Sequence, residues 1–267
     1  MNPELITSAQ NPKIKHLLAL QEKSRLRREE GLFVVEGCRE LDHCLSAGFE
    51  PEALFYCPDI LTKGHVFLEM LEDTPLKMYS VSKDLYAKIA CRGGTEGIVA
   101  VMKTRQLRLE DIRTGRKPLI AVLESVEKPG NLGAVLRSAD AAGADAVLIC
   151  DPLTDIYNPN LIRASIGAVF TVPVVCCSSE EAIEWLKGRH IRILTAQLQD
   201  SSPYYKVDMT KGTAIVMGTE STGLSDVWRE AADAHILIPM LGKLDSLNVS
   251  VSAAVLLYEA VRQRTDA

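Results

Sequence analysis

The chain has 267 residues, 47% of them hydrophobic and 24% charged, with a formal net charge of −5. This is the profile of a globular protein long enough for two ordinary domains. Acids outnumber bases in both halves, so bulk charge gives no sign of nucleic-acid binding. No run of about eighteen apolar residues marks a membrane helix, and Met1-Asn2-Pro3-Glu4 lacks the basic-then-apolar start of a secretory leader.

The first helix is expected over residues 8–29, where Ile14, Leu17, Leu18 and Leu20 make one apolar side among bases. Between Lys13 and Arg28 lie Lys13, Lys15, Lys23, Arg25, Arg27 and Arg28, with Glu22 as the one acid. They form either an RNA-facing surface or a solvated helix face. Leu32-Phe33-Val34-Val35-Glu36 reads as a strand by length and branching. Helices near 37–47, 63–72 and 82–90 then alternate with strands near 53–57, 77–81 and 98–102, a small α/β layer structure. Residues 104–117, basic and ending with Gly115 before Pro118, are expected to link this domain to the next. A second basic window runs from Lys103 to Lys117, with Lys103, Arg105, Arg108, Arg113, Arg116 and Lys117 set against Glu110 and Asp111.

From residue 118 the alternation strengthens. Strands are expected at 119–124, 146–150, 172–177, 191–196, 213–217 and 235–239, and helices near 131–143, 159–168, 179–187, 226–232 and 248–264. Continuous apolar runs such as Ala146-Val147-Leu148-Ile149 indicate a parallel sheet covered on both faces. In the last helix Leu247, Val251, Val255, Tyr258 and Val261 recur at helical spacing, so one buried stripe is expected. The seven cysteines, Cys38, Cys44, Cys57, Cys91, Cys150, Cys176 and Cys177, have no metal-ligand spacing. Reduced core thiols of a cytoplasmic protein are the expectation, with Cys176 and Cys177 in a buried strand.

Ligands of open parallel sheets bind beyond the carboxyl ends of the strands, and three strand-to-helix junctions draw attention there. The first holds Asn131, Gly133 and Arg137. Asn131 is placed to cap the helix, and Arg137 lies roughly 9 Å further along its axis. The second, Gly218-Thr219-Glu220-Ser221-Thr222-Gly223-Leu224-Ser225, is a glycine-flanked loop with one carboxylate, in which Ser225 could cap the next helix. The third runs from Ile238-Pro239-Met240 to Ser246-Leu247-Asn248, and delivers two small polar side chains to the start of the last helix, where backbone N–H groups lack partners. No G-x-G-x-x-G fingerprint appears, which argues against a dinucleotide dehydrogenase.

Taken in order, N-x-G-x-x-x-R, G-T-E-x-x-G-L-S and I-P-M-x-G-x-x-x-S-L-N-V-S-V resemble the three signature motifs of the SpoU (TrmH-type) RNA ribose 2′-O-methyltransferases of the SPOUT superfamily. The resemblance covers residues 118–267, and residues 1–103 resemble, more loosely, the L30e-like substrate-binding domain that often precedes it. The resemblance implies a C-terminal parallel-sheet SPOUT domain closed by a trefoil knot, which pattern reasoning alone would not reach. It also implies a homodimer acting in the cytoplasm on RNA, with rRNA ahead of tRNA and neither DNA nor membrane as partner. S-adenosylmethionine would sit near Thr195, Ala196, Gly218, Ile238, Met240 and Leu247, with Gln197 in the same wall. Arg137, Asn131, Glu220, Ser246 and Asn248 would form the catalytic set. Ser221 departs from the glycine common at that place. A non-catalytic RNA-binding or ribosome-assembly protein retaining the fold is the alternative from another class; cofactor binding separates the two.

Overall fold

A computed structural model describes residues 4–61, 76–90, 96–219 and 222–265. The chain divides into two compact units, Met1–Arg105 with Ile156–Gly167, and Gln106–Asp155 with Ala168–Ala267.

The first unit runs β1 (Glu4–Ile6), α1 (Pro12–Glu22), α2 (Ser24–Glu30), β2 (Leu32–Glu36), α3 (Cys38–Ser46), β3 (Pro51–Tyr56), β4 (Lys77–Val81), α4 (Lys83–Ile89) and β5 (Ile98–Lys103). The helix expected near 63–72, and Cys91, lie outside the described residues. The sheet is mixed, in the order β1-β4-β3-β5-β2, with antiparallel pairing of β5 to both β3 and β2. Ile14, Leu17 and Leu20 pack with Val34, Phe55, Leu85 and Val99 in its core.

The helix expected over 8–29 is two helices, broken at Lys23 (φ −106°, ψ 104°). Arg27 gives the physical reason. It is buried, and its guanidinium donates to the carbonyls of Leu20 (2.6 Å) and Gln21 (3.1 Å), capping the end of α1. The basic window is correspondingly thinned. Lys13 pairs with Glu4 at 2.5 Å and Arg25 with Glu29 at 2.6 Å. Lys15, Lys23 and Arg28 stay exposed, with no ion-pair partner among the described residues.

The second half of the chain continues with β6 (Leu119–Glu124), α5 (Pro129–Ala141), β7 (Ala146–Cys150), α6 (Pro159–Ser165), α7 (Ala168–Thr171), β8 (Val174–Cys177), α8 (Ser179–Gly188), β9 (Arg192–Ala196), β10 (Ser202–Pro203), β11 (Thr213–Met217), α9 (Asp226–Ala231), β12 (Ala234–Leu237) and α10 (Val249–Thr265). α6 falls within the first unit. There Tyr157, just before it, stacks on Phe33 with ring centroids 4.4 Å apart. The expected helix over 159–168 stops at Ser165, because Ile166 (φ 57°) and Gly167 (φ 83°) are both left-handed. A Cβ on Gly167 would meet His43 Nδ1 at 2.7 Å, so the close approach there requires glycine.

The sheet of the second unit has seven strands, all parallel, in the order β10-β12-β9-β11-β6-β7-β8. The apolar strands β6, β7 and β11 are buried along their whole length, as continuous apolar runs require. β8 is an edge strand, so Cys176 is exposed and Cys177 half-buried, contrary to the expected buried strand.

The last helix also departs from expectation. Val249, Ala253, Leu256, Leu257 and Ala260 are buried, whereas Val251 and Tyr258 of the expected stripe are 47% and 49% exposed. α10 has two apolar faces at helical spacing, and periodicity alone could not choose between them. α5 and α10 lie side by side and parallel. Asn248 Nδ2 donates to Asn131 Oδ1 (3.2 Å) near their starts, and the Tyr258 hydroxyl donates to the Ala141 carbonyl (3.3 Å) at the far end of α5, both across 117 residues. Near the end of α10, the Arg264 guanidinium donates to the carbonyls of Met209, Lys117, Pro118 and Lys211 at 2.8–3.0 Å. That clamp holds the C-terminal helix to the approaches of β6 and β11.

Candidate functional site

Beyond the carboxyl ends of β9, β11 and β12 the second unit holds a cavity of 360 Å³. β9 leads into Ala196–Gln199, β11 into Gly218 and Thr219, and β12 into Ile238 and Met240, all of which line it. Asp245–Leu247 and one side of α10 (Val249, Ser252, Leu256) close it.

The loop after β11 is shaped by its glycines. Thr219 and Gly223 exchange backbone hydrogen bonds of 3.2 and 3.1 Å, and Gly223 sits at φ 68°, a conformation that favours glycine. A Cβ on Gly218 would stand 2.2 Å from the Gly223 carbonyl oxygen, so the turn closes only over a bare Cα. The loop's far end is tied down by a buried carboxylate. Glu124, the last residue of β6, accepts from the backbone N–H of Ser225 (2.8 Å) and from its hydroxyl (2.5 Å). Ser225 does occupy the N-cap position of α9, yet its side chain serves Glu124 and caps nothing.

Of the residues singled out from sequence, Ala196, Gly218, Ile238, Met240, Leu247 and Ser246 come together on the cavity wall. Thr195 does not. It is fully buried within β9 and its hydroxyl hydrogen-bonds His235 Nδ1 at 2.6 Å across to β12. Asn131 is not the N-cap of α5, a position held by Lys128 with Pro129 following. It lies in the first turn, where it accepts from Asn248. The Asn248 Oδ1 also accepts from the N–H and hydroxyl of Ser250 (3.0 and 2.6 Å), capping the start of α10. Arg137 is exposed on α5, outside the cavity lining, and no carboxylate pairs with it among the described residues. Glu220 and Ser221 lie outside the described residues.

Two residues were missed. Glu124 carried a signal, as a carboxylate ending an otherwise apolar strand. Arg229, one turn into α9, lines the cavity, and nothing in its sequence context distinguishes it from a surface arginine. The wall mixes apolar side chains (Leu198, Leu224, Ile236, Met240) with polar ones (Gln199, Thr222, Asp245). Two of the lining residues carry a buried atom with no hydrogen-bond partner among the described residues, Oε1 of Gln197 and Nε of Arg229. Such a surface fits a partly flat, apolar ligand that also carries hydrogen-bonding groups.

A model of the SpoU rRNA Methylase family matches residues 118–258, and one of the MRM3-like substrate binding domain matches residues 11–100. The chain is 30% identical over 253 residues to the 23S rRNA (guanosine(2553)-2′-O)-methyltransferase RlmP of Bacillus subtilis strain 168, covering 95% of this chain and 97% of that protein. It is 36% identical over 204 residues to the 23S rRNA (guanosine-2′-O-)-methyltransferase RlmB of Bordetella pertussis, with 74% and 83% covered. Among solved structures, an RNA 2′-O ribose methyltransferase superposes with a TM-score of 0.84 at 39% identity over 98% of this chain and 99% of that one. The SpoU methyltransferase AviRb of Streptomyces viridochromogenes, crystallised with AdoMet, superposes with a TM-score of 0.87 at 29% identity over 96% and 100%.

Proposed function

The chain belongs to the SpoU rRNA methylase family, and we propose that its geometry serves the reaction its relatives are named for, methyl transfer from S-adenosylmethionine to a ribose 2′-hydroxyl of ribosomal RNA. One observation carries the reading. Turns after three separate strands, β9, β11 and β12, meet on one cavity, and the third leads directly into the Asn248–Asn131 bond at the head of α5. The cofactor's sulfonium charge supplies an already activated methyl group, so the protein's task is alignment and help with one proton.

Ala196, Gly218, Ile238, Met240 and Leu247 would hold the cofactor, with Thr195 acting from behind through His235. The bare Gly218 and the mixed apolar and polar lining fit that group. Arg137 binds the target phosphate and orients the 2′-hydroxyl. A guanidinium stays protonated and cannot itself be the base, so the proton leaves to an RNA phosphate or water. Asn131 and Asn248 position the ribose as a pair, and Ser246 joins them from the cavity rim.

We also infer a trefoil knot. β12 lies on the far side of β9, yet α10 returns to run beside α5, so the segment after β12 must cross back over the sheet ends. A homodimer is the further expectation. Leu241 and Leu244 are 99% and 75% exposed, and the outer face of α10 presents Val251 and Tyr258. A second copy on the α5–α10 face would cover these and bring Arg137 of one protomer toward its partner's cavity. A cytoplasmic location is the expectation that goes with a ribosomal RNA substrate.

The test is labelled-methyl transfer from S-adenosylmethionine to fractionated cellular RNA, with mapping of alkali-resistant ribose positions. Arg137→Ala should abolish transfer while leaving cofactor binding intact. Wild-type turnover by that variant removes Arg137 from the mechanism.

A further inference from the structure

The carboxyl ends of β6, β7 and β8 carry Glu124, Cys150 and Cys177 in one row, paired Glu124 to Cys150 and Cys150 to Cys177 in the parallel register. Opposed residues of neighbouring parallel strands point to the same face, with the strands about 4.8 Å apart. A disulfide spans Cα atoms roughly 4.4–6.8 Å apart, so the pair is within bonding reach. Cys150 lies in the apolar cluster with Val175, Leu186 and Trp228, and Cys177 packs against it. Among the described cysteines no other two are opposed in a sheet register. The two thiols are unequal. Cys150 is fully buried, and hydrogen bonding to Cys177, with burial second, pushes its thiol above the ordinary cysteine range. Cys177 is half-buried on the edge strand, so a reagent in solution meets it first. Their surroundings reach the loop after β11. Ser179, two residues beyond Cys177, donates to Asp151 Oδ2 (2.6 Å), accepts from Trp228 Nε1 (2.8 Å) and stands 3.5 Å from Glu124 Oε1. Its hydroxyl is spare for this, because Ser178 caps α8. Glu124 in turn holds Ser225 at the end of the loop.

We propose that Cys150 and Cys177 are an oxidation site, which a peroxide closes to a reversible disulfide, and that closing it slackens the loop after β11. Hydrogen peroxide is small and neutral, which suits a half-buried thiol whose backbone carbonyl is bonded by Asp151. The Cys177 sulfur, having lost its proton, attacks one peroxide oxygen. The S–O bond forms, the O–O bond breaks, and the hydroxide released takes up a proton as water. The Cys150 sulfur then displaces the second hydroxide from Cys177, and its own proton leaves with that hydroxide as water. Two thiols and one peroxide thus give one disulfide and two waters. Such a bond in a reducing compartment is transient and serves sensing. A disulfide is far shorter than a contact between two thiols and fixes its own dihedral, so closure draws Cys177 toward β7. Ser179 moves with it, and the cluster around Glu124 loosens. The effect on the cofactor rests on the reading above, whereas the bond itself does not.

The test uses the full chain carrying Cys176→Ser, which removes the exposed neighbouring thiol. After hydrogen peroxide, free thiols are alkylated and the unreduced peptides are mapped by mass. The expected product is one linked pair, the Cys150 peptide joined to the Cys177 peptide, lighter by two hydrogens and separated again by dithiothreitol. Calorimetry with S-adenosylhomocysteine should read an affinity about threefold to tenfold lower for the linked chain, at most the size of one lost hydrogen bond. Reduction should restore it. Cys177→Ser should show neither the link nor the peroxide effect, and Cys177→Ala repeats the measurement should that variant fail to fold. Both thiols still open to alkylation after peroxide would overturn the proposal. So would Cys177 carried on to sulfinic acid without a link, or a linked chain with the affinity of the reduced one. A reduced chain that does not bind S-adenosylhomocysteine overturns the cofactor reading instead, and the peptide map still decides the bond.

Discussion

The two units put their buried charged groups to different uses. In the first, the buried cation Arg27 is consumed internally, its guanidinium closing the end of α1 against two carbonyls. In the second, the buried carboxylate of Glu124 holds the end of the loop that borders the cavity. A buried charge that closes a helix end is architecture, and one that holds a loop at a cavity serves a site. The largest expected effect follows from the tightest place in the second unit. Gly218→Ala puts a methyl group 2.2 Å from the Gly223 carbonyl oxygen, which is backbone and cannot swing aside. The loop must open, and S-adenosylhomocysteine affinity should fall by more than about a hundredfold, beyond what one lost hydrogen bond explains. Calorimetry reading wild-type affinity for this variant would break the comparison.

The counterpart in the first unit is Arg27→Met. Here the expected change is in stability alone: about 2–3 kcal/mol by urea unfolding, because two α1 carbonyls lose a charged donor. Cofactor affinity should not move. If it falls along with stability, the two units are not separable in this way.

That contrast was only partly legible in the sequence. Parallel strands read directly from runs such as Ala146–Ile149, because residues buried on both faces need no alternation. Gly218, Ile238, Met240 and Leu247 were found through motif resemblance, and the structure brings them to one cavity. Two other readings failed for physical reasons. Arg27 looks like any member of a basic window, since nothing linear says that a chain turn will fold it inward. Val251 and Tyr258 share helical spacing with a second apolar face, and which face is covered depends on where α10 docks, a long-range fact. Thr195 sits one residue from the cavity, and in a strand one residue changes the face.

A smaller effect is expected at Glu124, whose carboxylate holds Ser225 from beneath the loop without lining the cavity. Glu124→Gln keeps the volume but trades one acceptor for a donor, facing a hydroxyl and an N–H that both want to donate. Affinity for S-adenosylhomocysteine should drop about tenfold, with Glu124→Asp recovering part of it if the carboxylate is what matters. Equal losses in both variants would mean that shape and not charge holds the loop. Wild-type affinity in both would place Glu124 with Arg27, as architecture.

The smallest effect tests whether any part of the first unit is open in the sense that the cavity is. Lys13 and Arg25 are paired and Arg27 is buried, so Lys15, Lys23 and Arg28 are the cations of the α1–α2 surface left for a phosphate backbone. Exposed charges contribute through counterion release, roughly 0.7–0.9 in the slope of log affinity against log salt for each phosphate neutralised. Replacing all three by alanine should lower that slope by about two for ribosomal RNA, and weaken binding only a few-fold near physiological salt. Lys13→Ala and Arg25→Ala, whose charges are already answered by Glu4 and Glu29, should change it little. Filter binding across a salt series separates these outcomes. An unchanged slope in the triple variant would make the α1–α2 surface a solvated face, and would leave RNA recognition to other parts of the molecule.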